Sequence, residues 1–434
     1  MTAQYVPAAP EREDSLDATL HDPRTAVAAA RAHIAGTALR EPTGTTPGSC
    51  VGLELEMHLV DLADPGSRPS WPEVVELTSG LPPMPCGSAI TLEPGGQIEL
   101  SAPPAPDVST AIAGLQADRE ALTSALRSAG FGAASLGADP ARPVQRINPS
   151  ARYAAMEQHF DALGCLEPGR AMMSATAALQ LNVDAGPADG WAQRLGRIRD
   201  LGPLFIAMSA CSPYLGGRAS GWQSMRQQAW HGIDHSRSDP VSGDDPADAW
   251  ATYALHAPVM LLRDGADAVP MRTRVPLAAW LDGSASMPRR PTVADVDYHL
   301  TTLFPPVRPR GYVEIRCLDA VPDRWLPALT AVAVTLIEDP VAGDCAARVA
   351  APIRDLRAAA ARDALSDPAI RAAVLECVET AAARVPEVHR RDAEAFAELL
   401  AGGRTPGDEV RERIEADGPL AALLAAATEE DHRG

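Results

Sequence analysis

The sequence predicts an α+β chain built on a curved antiparallel sheet, with helices packed on one face of it. Three observations carry this. Four segments alternate apolar and polar residues with a period of two, as half-buried strands do. They lie between about residues 51 and 317, while Ala-rich helical segments crowd the last part of the chain. No regular strand–helix alternation and no Gly-x-Gly-x-x-Gly following a strand points to a parallel sheet. The polar face of the sheet is the expected site.

Each strand has its own pattern. In Val51-Gly-Leu-Glu-Leu-Glu-Met-His58, Glu54 and Glu56 point one way, and Leu53, Leu55 and Met57 the other. In Glu93-Pro-Gly-Gly-Gln-Ile-Glu-Leu-Ser101, Gln97, Glu99 and Ser101 share a face backed by Ile98 and Leu100. Gln180, Asn182 and Asp184 are backed by Leu179, Leu181 and Val183. Glu314 and Arg316 are backed by Val313 and Ile315. One such strand reads as an ordinary solvated face. Four that carry carboxylates, amides and an Arg read as a ligand face, because like charges on one strand face repel without a cation between them.

The helices follow from caps and spacing. Asp22 and Pro23 open a helix to about Leu39. Thr43 to Ser49 is a turn-rich loop, and residues 62–90 read as an irregular excursion rich in Pro and Gly. Asp107 caps a helix to about Ser128, with Val108, Ile112, Leu115, Leu122 and Leu126 near helical spacing. Residues 150–163 and 189–210 are expected helices, and 212–246 a long polar loop of the functional kind. Ala-rich helices are expected over 324–339, 344–364, 367–384 and 387–402. The domain reading is a loose acidic tail over 1–21 and a single domain over 22–434, whose Ala-rich helical part begins near 324.

Composition excludes several functions. A formal net charge of −19 argues against a nucleic-acid surface. No apolar run reaches the roughly 18 residues of a membrane span, and the N-terminus lacks a signal-peptide core. Seven scattered Cys without a Cys-x-x-Cys pair predict a reduced, cytoplasmic chain with neither disulfides nor a zinc site. The chain contains no Lys. That rules out a Walker A loop, a protein-kinase site and Schiff-base chemistry. A phosphate must be held by Arg, metal and backbone N–H groups.

Collected on one face, Glu54, Glu56, Glu93, Glu99, Gln180, Glu314 and Arg316 offer hard oxygen ligands suited to Mg²⁺ or Mn²⁺. They outnumber the needs of one ion. Two or more ions, balanced by a polyanion such as ATP, account for the excess. Arg316 either meets a phosphoryl oxygen or pairs with a neighbouring Glu. The lack of an obvious acid–base pair fits phosphoryl transfer, where positioning and charge neutralisation dominate. Glu54→Gln and Glu314→Gln are both expected to spare the fold by relieving repulsion. In the polar loop, Arg226 and Arg237 can clamp a carboxylate, Trp230 can form an apolar wall, and Asp234 can bind an amine or orient an Arg; the other reading is a plain surface loop. His58 and His231 read as packing or surface residues, and Cys317 as apolar filler.

The blocks Gly52-Leu-Glu-Leu-Glu56, Glu93 to Ser101, Leu179 to Asp184, Ser212-Pro-Tyr with Ser224-Met-Arg226 and Trp230, and Tyr312-Val-Glu-Ile-Arg316 resemble the plant-type and bacterial glutamate–cysteine ligases. They are most similar to the bacterial branch that serves ergothioneine synthesis. The resemblance implies a glutamine-synthetase-like catalytic domain and an ATP-dependent ligase making γ-glutamylcysteine through a γ-glutamyl phosphate. It implies metal roles for Glu54, Glu56, Glu93, Glu99 and Glu314, catalytic roles for Arg316 and Glu314, and substrate roles for Arg226, Trp230, Arg237, Gln180 and Asn182. ATP, two or three Mg²⁺ or Mn²⁺ ions, glutamate and cysteine are the expected ligands, with no nucleic-acid or membrane partner. The same fold also serves ligases with another amine acceptor, and a noncatalytic ATP or amino-acid sensor is the remaining reading.

Overall fold

Seven strands form one antiparallel sheet in the computed structural model, which describes residues 19–42, 50–265 and 267–428. They are β1 (Val51–Asp61), β2 (Ala89–Leu92), β3 (Ile98–Ser101), β4 (Phe131–Ala134), β5 (Ala178–Val183), β6 (Val307–Pro309) and β7 (Val313–Asp319). Their order is β6-β7-β5-β1-β3-β2, with β4 paired to the far end of β1. The long strand β1 is thus central, and its register decides which polar side chains meet. Glu54 lies opposite Gln180 on one side and Ser101 on the other. Glu56 lies opposite Glu99. Glu314 lies between Asn182 and Arg308.

The alternation predicted for the strands is what the sheet uses. Leu53, Leu55, Met57, Ile98, Leu100, Leu179, Leu181, Val313 and Ile315 are all buried in the main core. Burying each such side chain stabilises by about 1.5–3 kcal/mol, which sets register strongly, since a slip of one residue would turn the glutamates inward. Helix Val108–Ser128 packs under β1 and β4, and helix Gly202–Ser209 under β7. A second, smaller apolar cluster forms apart from this core, from Met156, Phe160, Met172, Met173, Ala229 and Met260, with Tyr153, Trp230 and Phe304 packed against it. It roofs the polar face, because Trp230 stands over Arg316. Helices therefore cover both faces of the sheet.

Several elements differ from the sequence reading. Residues 1–18 of the expected tail and the expected loop at 43–49 lie outside the described residues. The helix expected from Asp22 to about Leu39 is Ala26–Ala38; the Asp22 carboxylate holds Arg24 instead of capping at Pro23. Helix Val108–Ser128 is capped by Asp107, as predicted, through a 2.9 Å bond from the Thr110 amide. The excursion at 62–90 contains a helix, Trp71–Ser79, closed by a Ser70/Glu73 capping box. Ser70-Trp-Pro-Glu73 is a sequence signal for that helix. The helix expected over 189–210 breaks into Trp191–Asp200 and Gly202–Ser209 at the Gly202-Pro203 pair. The one expected over 344–364 breaks near Pro352 into Pro340–Ala350 and Arg357–Asp363. The polar loop at 212–246 holds two short helices, Met225–His231 and His235–Ser238. No single helix among the described residues is long and apolar enough to cross a membrane.

A carboxylate-lined candidate active site

The hairpin between β2 and β3 delivers Glu93. Its loop, Glu93-Pro94-Gly95-Gly96-Gln97, closes with the Glu93 amide donating to the Gln97 carbonyl at 2.9 Å. Both glycines are required there. A Cβ on Gly95 would collide with the Ser174 carbonyl, and Gly96 has φ +82°. Gln97, expected on the ligand face, ties this loop down: its amide nitrogen donates to the Thr176 carbonyl at 2.9 Å.

Four carboxylates converge on the face. Glu56 accepts from the Ala178 amide at 2.8 Å and from Gln180 at 3.2 Å. Asn182 donates to Glu54 at 3.1 Å. Ser101 donates to Glu99 at 2.6 Å. Glu99 and Gln180 are buried, while Glu54, Glu56, Glu93 and Asn182 keep part of their surface. Burial, with Glu314 and Glu99 nearby, pushes the Glu54 carboxyl up to about 7. Burial, with Glu99 nearby, pushes Glu56 up to about 7. Glu93 is also held well above the usual carboxylate range by burial and by Glu99 and Glu56. Arg316 offsets this repulsion only in part, and the Asn182 carbonyl oxygen is buried without a hydrogen-bond partner among the described residues. An oxygen-rich, electron-rich set of this kind fits hard divalent ions.

Glu314 is different. Its two oxygens accept four guanidinium bonds: from Arg308 at 2.6 and 3.0 Å, Arg310 at 3.3 Å and Arg316 at 3.2 Å. Burial alone would raise its carboxyl, but Arg308, Arg316 and Arg310 outweigh it and hold Glu314 well below the usual range. As an ion ligand, Glu314 would have to give up an arginine. Its neighbours make it a holder of cations. The expectation that Glu314→Gln spares the fold is overturned for the same reason: three guanidinium groups would lose their counter-charge, and breaking a buried pair costs about 3–5 kcal/mol.

Arg316 carries the face toward the roof. A bulge between Ile315 and Leu318 breaks the register of β7 against β5. Arg316 donates to Gln180 at 2.7 Å, and its Nε has no hydrogen-bond partner among the described residues. The expected pair with a neighbouring Glu is formed, and it leaves the Nε donor over. The Trp230 ring lies 5.8 Å from the Arg316 guanidinium and 5.9 Å from that of Arg226. Arg226 is fully buried, donates to the Arg316 carbonyl at 2.8 Å, and keeps Nε and Nη1 without hydrogen bonds among the described residues.

A model of glutamate–cysteine ligase family 2 (GCS2) matches residues 50–426. The chain belongs to this family. Glutamate–cysteine ligase EgtA of Mycolicibacterium smegmatis is 47% identical over 408 residues, spanning 93% of this chain and 95% of the relative. Its counterpart in Mycobacterium tuberculosis is 48% identical over 379 residues, 86% of this chain and 88% of the relative. A glutamate–cysteine ligase from Francisella tularensis, solved in complex with AMP, shares the fold at a TM-score of 0.52 and 14% identity, covering 88% of this chain and 87% of that one. The α+β expectation and the family resemblance therefore hold.

Within this family member, the polar loop splits in two. Ser212, Ser224 and the Cys211 amide all donate to Asp319 at the end of β7, at 2.7, 2.8 and 3.0 Å. Gln227 donates to the Cys317 carbonyl at 3.0 Å. These bonds pin helix Met225–His231 to the sheet and bring Arg226 and Trp230 to the site. Arg237 is not brought there. It is fully buried and spends its donors on the Thr302 and Pro258 carbonyls, with Asp234 at 3.5 Å. Asp234 also accepts from Arg274 at 2.8 Å, so of its two expected roles it takes that of orienting arginines. Cys317 is core filler, and His58 is buried with Nε2 3.1 Å from the Leu136 carbonyl. Asp184 takes the Cys50 amide, at 2.9 Å, away from the carboxylates.

The sequence reading missed Arg308, Arg310, Asp319 and Tyr153. Arg308 was legible only through cross-strand register with Glu314. Asp319 sits past the bulge, where simple alternation fails. Tyr153, on helix Ala151–Ala162, has its phenol raised by burial and by Glu93 and Glu99, which places it at the carboxylate end of the roof.

Proposed function

We propose that this ligase joins the γ-carboxylate of glutamate to the amine of cysteine at the expense of ATP, supplying ergothioneine synthesis in a reduced, cytoplasmic setting that suits seven cysteines joined by no disulfide. The observation that supports it most is the convergence of Glu54, Glu56, Glu93 and Glu99 beside Arg316 on one sheet face, beneath Arg226 and Trp230. Those four glutamates would hold two or three Mg²⁺ or Mn²⁺ ions, which supply neutralisation of the phosphate charge. Glu314 positions Arg316, and Arg316 faces the transferring phosphoryl group with its spare donor. Gln180 holds Arg316 in turn. Arg226 is placed to take the α-carboxylate of glutamate, with Trp230 closing the site against water.

In this reading a γ-carboxylate oxygen of glutamate attacks the terminal phosphorus and ADP departs. The amine of cysteine then attacks the acyl carbon, inorganic phosphate leaves, and the nitrogen sheds a proton to solvent as the amide bond forms. The roof provides the dryness that an acyl phosphate needs to outlive hydrolysis. Purified protein with Mg-ATP should release phosphate only when both glutamate and cysteine are present. Equal release without cysteine would sink the proposal. Faster turnover with another amine in a panel would reassign the acceptor, and ATP binding without turnover under any amine would make the chain a sensor.

A further inference from the structure

A second cluster of ligating side chains lies on the outer side of the helix that carries Arg226 and Trp230. His231 ends that helix, His235 opens the next one, and Asp239 follows it. One ligand atom from each lies within 4.8 Å of the others. The two imidazoles meet edge to face with centroids 4.6 Å apart. His235 Nδ1 is 3.2 Å from the Asp239 carboxylate. Tetrahedral ligands around Zn²⁺ sit roughly 3.3 Å from one another, so small side-chain rotations close the set around one ion.

We propose that His231, His235 and Asp239 form a three-ligand site for a borderline transition-metal ion of the Zn²⁺ or Co²⁺ class, separate from the carboxylate face. Two imidazoles and one carboxylate select such ions over Mg²⁺ and Ca²⁺, which favour all-oxygen sites. The scaffold is preorganised. The Asp234 side chain caps helix His235–Ser238 by accepting from the Ser236 amide at 3.1 Å, and the Asp239 amide donates back to the His235 carbonyl at 3.0 Å. Arg237, between the two ligands of this segment, is locked by the Thr302 and Pro258 carbonyls. Arg357 acts on Asp239 and opposes a bound cation. A water molecule or an external ligand would complete the coordination.

The test uses the full chain in excess Mg²⁺, which occupies oxygen sites, and Co²⁺ as the probe. Wild-type protein should take up about one equivalent of Co²⁺ with the visible absorption of a nitrogen-ligated ion. His231→Ala and His235→Ala should each weaken that uptake roughly tenfold or more, and Glu54→Gln should leave it unchanged. Both histidines are exposed, so metal-free melting temperatures should match wild type. Unchanged Co²⁺ uptake and spectrum in the two histidine variants would overturn the site, as would loss of the spectrum in Glu54→Gln alone. Because the readout is metal binding, it stands or falls apart from ligase activity.

Discussion

Arg316 stands two residues from Glu314 on the same strand, with Nη1 3.2 Å from one carboxylate oxygen and 2.7 Å from the Gln180 side-chain oxygen. The pair is a device for aiming a cation. Glu314 is surrounded by arginines and stays ionised, so it fixes the guanidinium without competing for protons.

Arg316→Met should lower kcat about 100-fold or more, with a smaller change in the KM of ATP. Arg316→Lys should rescue little, because a point charge cannot bond Gln180, Glu314 and a phosphoryl oxygen in one plane. Steady-state phosphate release decides this. A Lys variant near wild-type rate would remove Arg316 from the transition state.

Glu54→Gln should abolish turnover and yet raise the melting temperature of metal-free protein. Its folded carboxyl titrates near 7 instead of near 4.5. A raised carboxyl destabilises only where it is forced to ionise, so the penalty is absent below about 4.5 and complete above about 7. The stabilisation should therefore appear at pH 8, at about 1–3 kcal/mol, and vanish at pH 4. Thermal melts of both proteins at the two pH values are sufficient, and a variant less stable than wild type at pH 8 would refute the charge-repulsion account.

Mg²⁺ should stabilise the protein more at pH 8 than at pH 5.5, because protons compete for Glu54, Glu56 and Glu93. Glu56→Gln should blunt the shift. An Mg²⁺ effect independent of both pH and Glu56 would place the ions elsewhere.

Arg226 and Arg237 should separate cleanly. Arg226→Met should raise the glutamate KM about tenfold or more, and more than that of ATP. Arg237→Met should leave both Michaelis constants near wild type while costing about 2–4 kcal/mol of stability, since it leaves two buried carbonyls without their donors and removes one of the two arginines beside Asp234. Urea unfolding and kinetics on the same preparations distinguish the two.

His299 gives an independent pH dependence. It is buried with Nε2 2.9 Å from the Ala254 carbonyl, and burial with Arg237 nearby depresses it to about 3. Its stabilising contribution is full above the unfolded value of about 6.5 and is lost as pH falls toward 3. His299→Gln should flatten the fall in unfolding free energy across that window. An unchanged slope would show that His299 does not contribute to acid sensitivity.

The sequence by itself determined which residues could share a face. Period-two alternation is local, so Glu54 with Glu56, and Glu314 with Arg316, follow from the chain alone. The missing Lys likewise assigned every phosphate contact to Arg, metal or backbone. Only the tertiary structure decided what each charged group meets. Register set Glu56 against Glu99 and Arg308 against Glu314, which turned one glutamate toward metal-like surroundings and another into a clamp for three arginines. Helix packing sent Arg226 to the site and Arg237 into a shell of carbonyls, though the two lie eleven residues apart in one polar segment. The physical reason is that charge and donor count are properties of a residue, while desolvation and partners belong to the place where nonlocal pairing puts it.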